Sequence, residues 1–190
     1  MAVGIYGGSF DPIHIGHLIT TRAVLEKRGL EKIIFIPNHI SPLKQDGNAL
    51  ADIHRLRMVE LAIKSFSYFE VSDYEILKGD VSYSVDTINH FKNFYEDLEL
   101  IIGFDNLVVF DKWKQPEVIF ELAKVIVMTR HSDEPEIIKN RFFEKAIFIN
   151  TPNIEIASTE IRNRVRNNLP IDFLVTPEVS EYIRNNNLYK

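Results

Sequence analysis

A chain of 190 residues with no cysteine can bury a core without staples, and it excludes a disulfide framework, thiolate zinc sites and cysteine nucleophiles. Its 22 basic and 27 acidic residues leave a net charge of −5, which argues against non-specific nucleic-acid binding and requires any anionic ligand to be held by a local cluster of donors. The stretch 1–8 does not read as a signal segment, and no apolar run reaches the roughly 18 residues of a membrane helix, so the expected compartment is the cytoplasm, with no membrane partner.

In chain order, residues 3–6 form a first apolar strand, followed by a helix over 15–28 in which Ile15, Leu18, Ile19, Ala23 and Leu25 recur at helical spacing. A strand at 32–37 precedes a helix over 53–65 marked by Leu56, Val59 and Ile63. A strand at 69–72 leads to a helix over 85–95 carrying Val85, Ile88 and Tyr95, and further strands are expected at 98–102, 124–128 and 146–149. Several of these runs are almost continuous in Val, Ile and Phe, as strands covered on both faces are. The tail reads as a short strand at 154–157, a helix over 158–167 and a last helix opened by Thr176-Pro177-Glu178, a cap followed by proline and an acid.

This alternation predicts an α/β protein with a doubly wound parallel sheet of the Rossmann-like kind, completed by a small C-terminal helical subdomain. One domain spans 1–190, with the sheet core in 1–150 and the helical part in 151–190. Such sheets bind ligands beyond the carboxyl ends of their strands, at the point where the connections change direction.

The turn after the first strand gathers the chemistry. Gly7 and Gly8 let backbone amides approach a phosphate, and His14 and His17 stand three apart at a helix start, on nearly one face. Free amides and the positive dipole end of that helix add to the same anion-sized space. A double glycine can equally be a tight turn, and two histidines can cap or pack. The spacing of Gly4, Gly7 and Gly8 fits neither G-x-G-x-x-G nor G-x-x-x-x-G-K-[ST], so dinucleotide-fingerprint and P-loop readings lose support.

Gly8, Phe10, Pro12, His14, Gly16 and His17 match G-x-F-x-P-x-H-x-G-H, and with them the chain resembles the nucleotidyltransferases related to class I aminoacyl-tRNA synthetases. The resemblance implies that His14 and His17 bind the phosphates of ATP and stabilise charge during transfer. Ile156-Ala157-Ser158-Thr159-Glu160-Ile161-Arg162 is similar to the family's I-S-S-T-x-I-R, with Ala157 in place of the first serine. Ser158, Thr159 and Arg162 then make a second anion site at a helix start, against the alternative of a capped helix with a solvated arginine.

Four further segments resemble nicotinate mononucleotide adenylyltransferases in particular. Ile36-Pro37-Asn38 with Ser41-Pro42-Leu43-Lys44 resembles P-N-x-x-x-P-H-K, Leu43 standing where that family has histidine and Lys44 keeping the charge. His54-Arg55-Leu56-Arg57-Met58 resembles R-x-x-M, or is simply a solvated basic helix face. Tyr83-Ser84-Val85-Asp86-Thr87-Ile88 resembles Y-T-x-D-T-L, which places Tyr83, Ser84 and Thr87 beside the pyridine carboxylate, with Ser84 also a candidate helix cap. Gly103-Phe104-Asp105-Asn106-Leu107 and Trp113 resemble G-x-D-x-L followed by W, which implies ribose contacts from Asp105 and stacking of Trp113, the only tryptophan, on the pyridine ring.

The resemblance thus implies transfer of AMP from ATP to nicotinic acid mononucleotide, with Mg²⁺ accompanying ATP. Catalysis falls to His14, His17 and Arg162; ATP is held by Gly7, Gly8, Ser9, Phe10, His14, His17, Gly103, Asp105, Ser158, Thr159 and Arg162; the acceptor is held by Lys44, Tyr83, Ser84, Thr87 and Trp113. No protein ligand set for a metal is expected, no nucleic-acid partner, and a homo-oligomer is compatible with the sequence. Rival expectations are a sister enzyme that takes nicotinamide mononucleotide or phosphopantetheine, a tRNA synthetase catalytic fragment, and a nucleotide sensor without turnover. The polar composition of the loop at 45–48 suggests mobility, and whether it moves as a lid is left open by the sequence.

Overall fold

The structure, a computed structural model, describes residues 1–42, 50–129 and 141–190. Lys44, Leu43 and the polar loop at 45–48 lie outside the described residues.

Six strands, β1 (Val3–Gly8), β2 (Lys32–Pro37), β3 (Phe69–Val71), β4 (Leu98–Gly103), β5 (Lys124–Thr129) and β6 (Ile147–Asn150), form one sheet in the order β3-β2-β1-β4-β5-β6. Every pairing is parallel. The chain winds outward from β1 to β3, then returns to place β4 on the other side of β1. The direction switches between β1 and β4, and a crevice opens there at the strands' carboxyl ends.

Helices cover both faces, as parallel strands require. These are α1 (Ile15–Arg28), α2 (Asp52–Ile63), α3 (Tyr74–Lys78), α4 (Ser84–Phe91), α5 (Phe104–Val108), α6 (Pro116–Leu122), α7 (Ser158–Arg166) and α8 (Pro177–Asn185). Alternate residues of each strand point to opposite faces. Ile33, Phe35, Ile101 and Ile126 join a core with α1, α2, α7 and α8. Ile34, Ile36, Leu100, Ile102 and Val127 join a second core with α4 and α6. The result is a Rossmann-like doubly wound sheet with α7 and α8 as a small C-terminal helical subdomain.

The expected strand at 154–157 is not formed. The sheet ends at β6, an edge strand, and the Thr151 N–H makes the last ladder-like bond, to the Thr129 carbonyl at 2.9 Å. Beyond it the chain leaves the sheet to start α7, with Ala157 as its cap residue. Thr176 caps α8 as expected, its hydroxyl accepting the Val179 N–H. Helices α3, α5 and α6, of five to seven residues, are missing from the sequence reading, because a helical period cannot declare itself over so short a run. Among the described residues no helix is long and apolar enough to cross a membrane.

Candidate active site

The chain leaves β1 through Gly7 and Gly8 and enters α1 at His14, whose extended backbone makes it the cap residue. A β-carbon on Gly8 would lie 2.9 Å from the Phe10 ring, while the space at Gly7 is open to the Ile36 carbonyl at 4.0 Å. Gly8 therefore admits the Phe10 ring, and Gly7 is the glycine free to approach a ligand. A β-carbon on Gly16 would meet His14 Nδ1 at 3.0 Å and Ile154 at 3.2 Å. The glycine between the two histidines is thus what lets the His14 ring lie back over the helix start.

The two imidazoles stack with centroids 3.6 Å apart. The His14 backbone N–H donates to His17 Nδ1 at 3.2 Å. That bond claims the Nδ1 lone pair, so the neutral His17 ring carries its proton on Nε2. Burial holds the His17 pKa well below its ordinary value, and the neighbouring His14 lowers it further. Burial pushes His14 down to about 4. Near neutral pH the pair is uncharged, and the buried His14 Nδ1 has no hydrogen-bond partner among the described residues. Phe10, which is 3 % exposed, lines neither cavity and supports His17 edge-on at 5.3 Å.

Two cavities meet at the crevice. The first, of about 230 Å³, is lined by His14, His17, Thr20, Gly103, Asp105, Met128, Thr151, Ile154 and Ile156. The second, of about 410 Å³, is lined by Gly7, Gly8, Ser9, Asn38, Glu75, Tyr83, Ser84, Thr87, Lys112, Trp113 and Lys114. Tyr6, His17 and Gly103 face both. Of the residues expected around ATP, His14, His17, Gly103 and Asp105 line the first cavity, whereas Gly7, Gly8 and Ser9 line the second beside Tyr83, Ser84, Thr87 and Trp113 of the expected acceptor set, and His17 faces both.

Several expected residues have neighbours the sequence did not announce. Tyr83, not Ser84, is the cap residue of α4; Ser84 is one position inside, and no side chain caps that end. The Thr87 hydroxyl donates to Glu75 Oε1 at 2.5 Å. Glu75 is 6 % exposed, and burial raises its pKa against the Thr87 and Ser82 hydroxyls that favour its ionised form. Trp113 stacks on Phe110 at 4.7 Å, and its buried indole N–H has no hydrogen-bond partner among the described residues.

Ser158, Thr159 and Arg162 line neither cavity. They grip the loop that precedes His14: Ser158 Oγ donates to the Pro12 carbonyl at 2.9 Å, Arg162 Nη1 to the Asp11 carbonyl at 2.7 Å, and Arg162 Nη2 to Thr159 Oγ1 at 3.3 Å. Glu75, Lys112, Lys114, Thr151 and Ile154 are lining residues that sequence reasoning missed. None belongs to a motif, and only the folded chain brings them to the crevice. Among the described residues no group of three or more His, Asp or Glu forms a metal site.

A doubly wound sheet with a His-Ile-Gly-His helix start at its switch point defines the nucleotidyltransferase class. The cytidylyltransferase-like family model matches residues 5–164. A relative from Caldicellulosiruptor bescii, described as "Probable nicotinate-nucleotide adenylyltransferase", is 38% identical over 196 aligned residues covering 100% of both chains. A relative of the same description from Flavobacterium johnsoniae is 40% identical over 192 residues, again covering 100% of both. The solved structure of Plasmodium falciparum nicotinic acid mononucleotide adenylyltransferase complexed with NaAD superposes with a TM-score of 0.81 at 22% identity, over 99% of this chain and 97% of that one. The chain belongs to the nicotinate-nucleotide adenylyltransferase family.

Proposed function

We propose that the protein transfers AMP from ATP to nicotinic acid mononucleotide, giving nicotinic acid adenine dinucleotide and pyrophosphate. The observation that carries this reading is the position of His17, which faces both cavities at the point where a donor α-phosphate and an acceptor phosphate would meet. The acceptor's 5′-phosphate oxygen attacks the α-phosphorus in line; the new P–O bond forms as the bond to pyrophosphate breaks. A phosphate is already anionic at neutral pH, so the step needs no general base. The protein contributes alignment and hydrogen bonds to the charge on the transferring group.

The neutral His17 ring, with its proton on Nε2, is a donor to that charge, and His14 supplies a second imidazole beside it. Gly7 and Gly8 bring the β1 backbone to the phosphates, Ser9 lies next to them, and Phe10 holds His17 in place. In the first cavity Gly103 and Asp105 receive the adenosine, Asp105 accepting from ribose hydroxyls. Ser158, Thr159 and Arg162 line neither cavity as the chain stands, where Ser158 and Arg162 hold the loop before His14; their part in binding the outer phosphates is assigned from their place at the start of α7. Lys44 secures the acceptor phosphate. The first turn of α4, with Ser84 and uncapped amides, faces the pyridine carboxylate, and Trp113 lies along the ring.

Mg²⁺ enters with ATP as part of the substrate, coordinated by phosphate oxygens and water. The donors around His17 are imidazoles and amides, a set that suits phosphate oxygens and not a hard cation. A single catalytic domain acting in the cytoplasm without nucleic acid completes the reading.

The test is pyrophosphate release with ATP and Mg²⁺, supplying nicotinic acid mononucleotide, nicotinamide mononucleotide or phosphopantetheine separately. Turnover confined to the acid mononucleotide is expected. Preference for another acceptor would overturn the assignment of the second cavity, and tight ATP binding with no turnover would leave a sensor.

A further inference from the structure

The C-terminal subdomain meets the loop before α1 at several points. Arg162 and Ser158 hold the Asp11 and Pro12 carbonyls, and the Ile15 N–H donates to the Leu174 carbonyl at 2.9 Å. The contact made to a side chain of the loop comes from the next-to-last residue: Tyr189 Oη donates to Asp11 Oδ1 at 2.7 Å. Asp11 is 7 % exposed, so its carboxylate depends on protein donors in place of water. Its other oxygen has longer contacts, with the Leu50 N–H at 3.5 Å and Arg162 Nη1 at 3.9 Å. Among the described residues the Tyr189 hydroxyl therefore makes the short side-chain bond on this group.

The tail is built to deliver that hydroxyl. Leu188 is buried in the core, and its N–H donates to the Ile183 carbonyl at 3.0 Å. Tyr189 itself sits at φ 64°, a left-handed conformation that is unfavourable for a non-glycine residue and persists only where contacts hold it. Burial and the adjoining Asp11 carboxylate both raise the phenol pKa, which keeps the hydroxyl a donor. Three residues beyond Asp11, the His14 N–H makes the bond that fixes the His17 ring.

We propose that Tyr189 is a positioning residue for adenylyl transfer: by holding the Asp11 carboxylate it fixes the loop that delivers the His14 N–H to His17. The inference rests on the transfer reading above. Small displacements of a charge-stabilising donor act on the transition state more than on bound substrate.

Tyr189→Phe removes the hydroxyl and little else. Its kcat is expected to fall about tenfold, with both KM values within about twofold of the parent, and the imidazole ¹⁵N signals of His17 are expected to shift. The matched control is Tyr182→Phe, which removes a hydroxyl whose partner, His54 Nδ1 at 2.9 Å, lies on α2 and not on the loop. It should lower Tm comparably and leave kcat and the His17 signals unchanged. The double variant Tyr189→Phe/Asp11→Ala should be no slower than Asp11→Ala alone, because the hydroxyl acts only through that carboxylate. Unmoved His17 signals in Tyr189→Phe, an equal kcat loss in Tyr182→Phe, or additive losses in the double variant would each overturn the proposal. An inactive parent protein whose His17 signals still shift in Tyr189→Phe would sink the transfer reading and keep the link from the tail to the site.

Discussion

His17 concentrates the argument at the scale of one residue. Its Nδ1 accepts a backbone N–H, and its ring packs against Phe10, Tyr6 and His14. Protonation at Nδ1 would set two hydrogens against each other and charge a buried ring, so the fold selects one neutral tautomer before substrate arrives. Pre-organisation of this kind lowers a barrier because nothing has to reorganise as charge develops. His17→Ala should lower kcat roughly 10² to 10³-fold, the usual cost of one lost donor to a developing oxyanion, with the ATP KM much less affected. Steady-state pyrophosphate release measures both; an unchanged kcat would remove His17 from the chemistry. The histidine pair itself was legible, because its spacing shows in four letters. Its electrostatic state was not, since burial and the His14 amide contact depend on how Phe10 and Gly16 pack.

At the scale of elements, long strands and helices were readable, and the joints between them were not. The apolar run at 32–37 matches β2 residue for residue, and the period over 15–28 matches α1. The polar joints are where sequence reading stopped short. Arg55 is the clearest instance: one of its two readings was a solvated basic helix face, yet the residue is 0 % exposed. Arg57, two positions on, takes the solvated role and pairs with Glu60 at 2.6 Å. Arg55 donates to the carbonyls of Leu50 at 2.9 Å, Ser9 at 2.7 Å and Asn38 at 2.5 Å, and pairs with Asp52. One guanidinium thus ties α2 to the loops leaving β1 and β2. Arg55→Ala would strand three part-buried carbonyls and a carboxylate, at an expected cost of about 3–4 kcal/mol in unfolding free energy. Chemical denaturation measures it, and a loss within about 0.5 kcal/mol, the range of ordinary surface changes, would show that water replaces the guanidinium.

Over the whole molecule, the same burial that prepares the site makes the fold sensitive to acid. His14 titrates at about 4 in the folded protein against an ordinary value of 6.5, and His17 well below 6.5. As pH falls, the unfolded chain takes up these protons near 6.5, while the native state resists until about 4. Stability is therefore full above pH 6.5 and is lost progressively between 6.5 and about 4, by about 3 kcal/mol for His14 alone. Carboxylates act elsewhere. Asp86 is partly buried, but the Lys78 and Lys114 ammoniums hold it below its ordinary 3.8, so its contribution is lost only at lower pH. Glu75 has the opposite sign: burial raises its pKa above 4.5, so its stabilising contribution grows as pH falls through the folded value. Between pH 7.5 and 5 the histidine pair should dominate, and Tm should fall across that interval. In His14→Asn/His17→Asn the same interval should be nearly flat. Saturating ATP should also flatten it in the parent protein, because phosphate oxygens beside the imidazoles favour their charged forms and return the folded pKa values toward 6.5. A parent Tm that is level from pH 7.5 to 5 without ligand would mean that the two rings are hydrated, and the neutral, pre-set His17 donor would fall with that result.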